Sequence, residues 1–182
     1  MTKILVNRLR HLLSELIGPL QNSFLPKRGT ANNAIILQEL LHKKGFLVAP
    51  PQRTTARGPL SPYLFVICME KLSLAISGEV NARRWIPVKA SRGGPGISHL
   101  LFAEDVLLFC TATSSQVHLA KDMLDRFVAS SGLKVNAAKS RAFSSVRITR
   151  GCKDHLASIT GIRFTTKLER YLGFPLLKGR VN

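Results

Sequence analysis

Two adjacent carboxylates, Glu104 and Asp105, stand between the most apolar runs of this 182-residue chain. The runs 97–103 and 106–111 are typical of two strands, so the acid pair is predicted to lie at the tip of a tight hairpin. Carboxylates among residues that favour burial are costly unless a cation or hydrogen bonds offset their charge. The pair therefore fits either a metal site or a simple polar turn.

The other residue types that bind metals or act as nucleophiles form no recognisable site. The remaining acidic residues fall mostly on predicted helices, where a solvated face accounts for them. The five His residues show no ligand spacing. Cys68, Cys110 and Cys152 are far apart and form no CxxC pair, which argues against a disulfide scaffold or a zinc site. They are predicted to be buried thiols in a reducing compartment.

The elements that position the acid pair follow from the spacing of apolar and turn residues. Helices are predicted at 5–17, 115–131 and 154–159, and Gly18 and Pro19 stop the first of them. Another helix is predicted to be capped by Asn32 or Asn33 and to end at Gly45. A further helix is predicted with Ser61 as its N-cap and Pro62 in its first turn. Strands are predicted at 86–90, 133–135 and 142–148, with a second hairpin within 168–177. This mixture, without strict βαβ alternation, indicates an α+β fold around an antiparallel sheet.

The charge of the chain predicts a polyanionic partner. There are 27 Lys and Arg against 10 Asp and Glu, a net charge of +17, and 45% hydrophobic residues suffice for a core, so a disordered basic tail is excluded. Nucleic acid is the first candidate, and an anionic membrane surface is the second. The net charge is +7 in residues 1–60, +2 in 61–138 and +8 in 139–182. Mixed Lys and Arg without an aromatic ladder favour phosphate contacts over base reading.

The sequence also bears on location. No run approaches the ~18 apolar residues of a membrane span, so transmembrane and secreted proteins are excluded, and an intracellular protein of the nucleus or cytoplasm is predicted. The segment 1–17 is basic, amphipathic and poor in acids, which also fits an organellar transit peptide. An ordinary surface helix explains the same pattern.

Several segments, in order along the chain, match the motifs of one known family. They are Val6–Arg10, Gln21–Gly29, Gly58–Phe65, Phe102–Asp105, Ser130–Asn136, Lys139–Ser140 and Tyr171–Leu176. Together they resemble the reverse transcriptases of plant-type non-LTR (LINE-type) retrotransposons, in which Phe102–Asp105 is similar to the family's Phe-Ala-Asp-Asp box. The resemblance implies a partial right-hand polymerase fold: a fingers-like helical segment at 1–45, a junction at 46–58, and a palm-like region at 59–182 with an antiparallel sheet and packing helices.

The same resemblance implies RNA-directed DNA synthesis from dNTPs, with an RNA template, a DNA primer and Mg²⁺. It implies catalytic and metal-binding roles for Asp105 and Glu104. The residues that it places against nucleotide or nucleic acid are Arg28, Arg57, Gly58, Pro59, Ser61, Arg92 and Lys139.

Three of the matched features keep a second interpretation. Lys139 matches a lysine that is thought to protonate pyrophosphate in related polymerases, and a phosphate-binding or surface lysine explains it as well. Arg92 fits a contact to nucleic acid or a plain turn. The segment 171–173 resembles the primer grip, and a core hairpin accounts for it structurally.

The sequence differs from the family in three places that take part in the family's catalysis. The family takes one aspartate from a strand between the fingers motif and the Pro-Leu-Ser-Pro motif, but Lys43–Arg57 contain no acid and are too few for a strand, a helix and their connections. Glu104 replaces the first aspartate of the box, and its extra methylene shifts the carboxylate. Ala56–Gly58 stand where the family has Gln-Gly-Asp. The sequence therefore predicts an internally deleted, catalytically defective reverse transcriptase. A non-catalytic nucleic-acid-binding module and a decayed reading frame stay open as alternatives.

Overall fold

The structure, a computed structural model, describes residues 2–23, 25, 28–40, 51–52, 59–144, 148–165, 170–172 and 174–175. The helices are α1 (Thr2–Leu16), α2 (Thr30–Leu40), α3 (Ser61–Asn81), α4 (Ser114–Ser131) and α5 (Arg150–Thr160). The strands are β1 (Pro51–Gln52), β2 (Val88–Lys89), β3 (Gly96–Ile97), β4 (His99–Phe102), β5 (Asp105–Leu108), β6 (Lys134–Val135), β7 (Ala142–Phe143), β8 (Phe164–Thr165), β9 (Arg170–Tyr171) and β10 (Phe174–Pro175).

The helices follow the apolar spacing of the sequence. Helix α1 ends two residues before Gly18, and its Leu13 is buried together with the following Ile17 in a cluster with two residues of α3. Helix α4 ends at Gly132, whose φ of 70° is left-handed and favours glycine. The predicted helices are therefore confirmed, with α2 described as far as Leu40.

Three predicted helix boundaries are wrong. Asn33 lies inside α2 rather than at its cap, and its side chain is fully buried. Ser61 is the first residue of α3, and the N-cap is Leu60, which makes no side-chain capping bond. Helix α5 begins at Arg150, ahead of the predicted start, because Thr149 caps it by accepting a backbone N–H. Polar residues near a helix start are ambiguous because caps and tertiary contacts favour the same residue types.

The strands pair in twos rather than in one sheet over the described residues. The pairs β1–β6, β2–β3, β4–β5 and β9–β10 are antiparallel, and β7–β8 is parallel. The α+β mixture is confirmed, and the single antiparallel sheet that the sequence predicted is divided. Within the predicted junction 46–58, only Pro51 and Gln52 are described, and they pair with β6.

The largest apolar cluster joins α3, the β4–β5 hairpin and α4. Trp85, in the loop after α3, is almost fully buried there, and its Nε1–H donates to the Phe109 carbonyl at 2.9 Å. The Gln116 carboxamide of α4 brackets this loop, since it donates to the Arg84 carbonyl and accepts from the Ile86 N–H, both at 2.7 Å. The loop is thereby fixed against the end of the hairpin.

The three cysteines agree only in part with the prediction of buried thiols. All three thiols are free, but only Cys110 is fully buried, while Cys68 and Cys152 are half-buried. The prediction of buried thiols is therefore confirmed for Cys110 alone.

None of the described helices combines the length and the apolar character needed to cross a membrane.

Candidate functional site

The acid pair lies on the hairpin of β4 and β5. Phe102 pairs with Asp105, which leaves Ala103 and Glu104 as the two turn residues. The sequence predicted Glu104 and Asp105 at the tip, so that prediction was wrong by one residue. The φ of Ala103 is 49°, a left-handed conformation that is unfavourable for a residue with a Cβ. The two carboxylates thus leave the hairpin from different positions, one from the turn and one from a strand.

The environment of the pair disfavours charge on one of its members. Glu104 is exposed, whereas Asp105 is half-buried. Burial raises the pKa of the Asp105 carboxyl above its usual range, and the neighbouring charge of Glu104 raises it further. A bound cation would act in the opposite direction.

The chain segment 20–22 lies along β4 and supports the hairpin. The Leu101 N–H donates to the Leu20 carbonyl at 2.8 Å, and the Asn22 N–H donates to the Leu101 carbonyl at 3.0 Å. Gln21 completes a parallel bridge to Leu101. The side chains of Gln21 and Asn22 are buried, so this predicted loop forms part of the base on which the hairpin rests.

A buried pair of carboxamides strengthens this support. The Asn33 Nδ2 donates to the Leu101 carbonyl at 3.3 Å, and the Asn33 Oδ1 accepts from the Asn22 Nδ2. The pair connects α2, the segment 20–22 and β4, which explains why Asn33 is buried within a helix. Asn33 was predicted only as a helix cap. A single sequence gives no sign of a contact with a residue 68 positions away.

Tyr171 of β9 packs against the apolar cluster that includes α2 and the hairpin. Burial raises the pKa of its phenol, the Asn33 carboxamide opposes that rise, and the charge of Asp105 adds to it. The phenol therefore lies within electrostatic reach of Asp105. The sequence marked this residue through its resemblance to the primer grip, and that role stays a prediction.

A buried histidine joins the hairpin to α3. His99 of β4 has Nε2 2.8 Å from the Ser73 Oγ and Nδ1 2.9 Å from the Ser98 Oγ. Burial lowers the pKa of His99 to about 4, so the ring is neutral near pH 7. With both ring nitrogens engaged by hydroxyls, His99 holds β4 in place.

The residues predicted to contact nucleic acid lie on separate elements. Pro59 is exposed in the turn before α3, and Ser61 begins that helix. Arg57 and Gly58, predicted for the same loop, lie outside the described residues. The structure thus places two of the four loop residues, at the start of α3.

The two exposed cations predicted for this role lie on turns. Arg92 is exposed between β2 and β3. Lys139 is exposed in the turn after β6, where its N–H donates to the carbonyl and the side chain of Asn136. Both positions are accessible to a phosphate backbone.

Arg28 holds the turn after α1. Its guanidinium donates to the carbonyl groups of Ile17 at 3.2 Å and Gln21 at 2.9 Å, and also to that of Gly18. The buried Glu70 of α3 accepts from the Gly18 N–H at 3.1 Å. A Cβ at Gly18 would lie 3.0 Å from the Glu70 Oε1, so a larger residue here would require the Glu70 carboxylate to shift. Arg28 therefore has a structural role, and its contact with nucleic acid stays a prediction.

The Arg28→Ala substitution is expected to lower the free energy of unfolding by about 2 kcal/mol, because three backbone carbonyls lose a charged donor. Arg28→Lys is expected to lose most of the same free energy, since an ammonium cannot reproduce the planar fork. Arg92→Ala serves as the exposed control, with a change within about 0.5 kcal/mol. Urea unfolding measures all three, and equal values for Arg28→Ala and Arg92→Ala would contradict the structural role.

Comparison with known proteins identifies the family. The family described as reverse transcriptase (RNA-dependent DNA polymerase) matches residues 53–176, more than half of the chain. The chain belongs to the reverse transcriptase family. The matched range contains the β4–β5 hairpin with Glu104 and Asp105.

One relative of this chain comes from a plant. An uncharacterized mitochondrial protein of Arabidopsis thaliana is 41% identical over 59 residues, which are 32% of this chain. The chain matches 48% of that relative, about half of its length. The similarity connects this chain to a plant protein without assigning an activity.

Reverse transcriptases generally depend on Mg²⁺, yet the described residues of this chain do not bring together the protein carboxylates of a two-ion site. Magnesium favours near-octahedral oxygen ligands, and polymerases bind two such ions. Nine of the ten acidic residues are described, all but Glu169, and no three His, Cys, Asp or Glu side chains among the described residues come together as a metal site. Lys43–Arg57 contain no carboxylate that could complete the pair of Glu104 and Asp105.

Proposed function

We propose that this chain is a defective reverse transcriptase domain from a plant-type LINE retrotransposon that keeps nucleic-acid binding and has lost templated DNA synthesis. In this proposal, residues 1–45 are the remnant of the fingers, 46–58 are the junction of an internal deletion, and 59–182 form the palm-like region. Its partners are an RNA template, a DNA primer and dNTPs.

The observation that carries the proposal is the isolated acid pair. Asp105 and Glu104 are adjacent on one hairpin, so both carboxylates come from a single segment. A two-ion site needs carboxylates from more than one segment, since each ion holds fixed ligand positions.

Binding of nucleic acid is supported by the net charge of +17 and by its concentration towards the two ends of the sequence. The described ion pairs are Arg84–Glu79 and Lys121–Asp125, and they neutralise few of these cations. Binding to a phosphate backbone releases counterions, with a slope of log K against log salt of about −0.9 for each duplex phosphate neutralised. Binding therefore does not depend on a catalytic site.

We expect the purified chain to bind an RNA template annealed to a DNA primer without extending the primer in the presence of dNTPs and Mg²⁺. Primer extension and filter binding on the same substrate measure the two properties separately. Asp105→Ala is expected to change neither, and Asp122→Ala on the exposed face of α4 is the matched control.

The outcomes separate the two halves of the proposal. Synthesis that Asp105→Ala abolishes would overturn the loss of catalysis. Weak binding that does not change with salt would overturn the nucleic-acid function.

A further inference from the structure

A cleft of about 390 Å³ opens between α4, β6 and the end of α5, away from the acid pair. Its walls are mainly aliphatic, and the apolar residues that form them are Ala120, Leu124, Val128, Val135, Ala137 and Ile162. Small-ligand sites have volumes of ~300–1,000 Å³ and are mostly apolar with few polar groups. The cleft thus has the size and lining of a small-ligand site.

The polar groups of the cleft leave one cation for a ligand. Lys121 forms an ion pair with Asp125, one turn along α4. The Thr160 hydroxyl donates to carbonyl groups of α5, and it also accepts from the Ile162 N–H at 3.2 Å. Lys134 is exposed, and it takes part in neither of the ion pairs found within the described part of the chain. The cleft therefore offers an apolar interior with a positive charge at its edge.

The chain around Lys134 extends this positive edge. Between Asp125 and Asp154 there are seven basic residues and no acidic one. Lys139 lies in the turn that also supplies Ala137 to the cleft, and Arg141 donates to two carbonyl groups of the chain at 138–140. The aliphatic cleft is consequently bordered by a segment that attracts phosphates.

We propose that this cleft binds an unpaired base of a single-stranded nucleic acid, with Lys134 and Lys139 against the adjoining phosphates. The inference rests on the nucleic-acid binding proposed above and adds a site to it. The apolar walls cover the faces of the base, and Lys121, Asp125 and Thr160 are already engaged within the protein. The site is accordingly tolerant of base identity, because its aliphatic walls offer no hydrogen bonds to the edges of the base.

A single-stranded oligonucleotide that carries one 2-aminopurine tests this site. Entry into the cleft separates the fluorescent base from its neighbours and shields it from acrylamide, so we expect brighter fluorescence and weaker quenching in the complex. Ala137→Leu narrows the cleft from an exposed position and is expected to abolish the shielding. Ala138→Leu is the matched control, because Ala138 is exposed in the same turn but does not line the cleft.

A second variant tests the phosphate contact. Lys134→Gln is expected to reduce the slope of log K against log salt by about 0.7, the contribution of one single-strand phosphate. Lys89→Gln, on the exposed side of β2, is the matched control and is expected to leave this slope unchanged.

The possible results distinguish the inference from the function on which it rests. If the strand binds but Ala137→Leu shields the base as the wild type does, the cleft site is overturned and the nucleic-acid function stands. Equal losses in Ala137→Leu and Ala138→Leu would also overturn it. If no strand binds at any salt concentration, both proposals fail. If an apolar dye enters the cleft while the base stays unshielded, the cleft serves another ligand and the inference is wrong.

Discussion

The Trp85→Ala substitution is expected to lower the free energy of unfolding by about 3–5 kcal/mol, which is a large part of the stability of a domain. The indole is 1% exposed and fills the cluster shared by α3, the hairpin and α4. Its removal leaves a cavity and also deprives the Phe109 carbonyl of a donor at 2.9 Å. Urea unfolding followed by circular dichroism measures the change.

Two further variants separate the parts of this effect. Trp85→Phe keeps most of the bulk and loses the hydrogen bond, so it is expected to cost less than Trp85→Ala. Ile86→Ala removes a neighbouring side chain that is half exposed, and it is expected to change stability little. A cooperative wild-type transition, together with this order of effects, would exclude a decayed reading frame whose product does not fold. A change below about 1 kcal/mol for Trp85→Ala would contradict the packing of this core.

Acidification below pH 6.5 is expected to destabilise the protein through His99. Burial lowers the pKa of His99 from 6.5 to about 4. Between these pH values the unfolded chain binds a proton on His99 and the folded chain does not. Its stabilising contribution is complete above pH 6.5 and falls by about 3 kcal/mol as the pH decreases towards 4.

Two carboxyl groups oppose this loss of stability at low pH. Burial raises the pKa of Glu70 and of Asp105, so the folded state binds their protons more readily than the unfolded state does. Their contributions therefore rise as the pH falls through their folded pKa values. The loss due to His99 is steepest midway between pH 6.5 and about 4, where the unfolded chain holds the proton and the folded chain does not.

Urea unfolding between pH 7 and about pH 5 tests the role of His99 when wild type and His99→Gln are compared. The variant has no ring to titrate, so its stability is expected to depend less on pH, whatever its stability at pH 7. His118→Gln replaces an exposed histidine of α4 and is expected to keep the wild-type slope. Identical slopes for wild type and His99→Gln would show that His99 does not control the acid response.

The helices and the hairpin could be predicted from the sequence because each depends on local spacing. The period of apolar residues predicted α1, α3 and α4, and Gly132 predicted the end of α4. In the structure Gly132 adopts the left-handed φ that ends this helix. The hairpin was placed correctly but one residue out of register, because turn preference favours two polar residues at the tip over Ala103. The φ of Ala103 is set by pairing across β4 and β5 and not by its own preference.

The site could be predicted only as far as its residues are adjacent in sequence. Glu104 and Asp105 form a visible pair, and the lack of acids in Lys43–Arg57 is read directly from the chain. The contact of Asn33 with Leu101 and the approach of Tyr171 to Asp105 depend on tertiary packing. Arg28 shows the same limit, since a basic residue in a loop gives no sign that backbone carbonyls surround it.

The pairing of residues 20–22 with Leu101 has a consequence for the order of folding. During synthesis the N-terminal segment leaves the ribosome first, and its strand partner does not exist until the hairpin has been made. Closing so long a loop costs entropy before any contact compensates for it, and non-local pairings slow folding. Until β4 arrives, Gln21 and Asn22 remain unpaired, so the base of the hairpin is completed late although half of it is synthesised early.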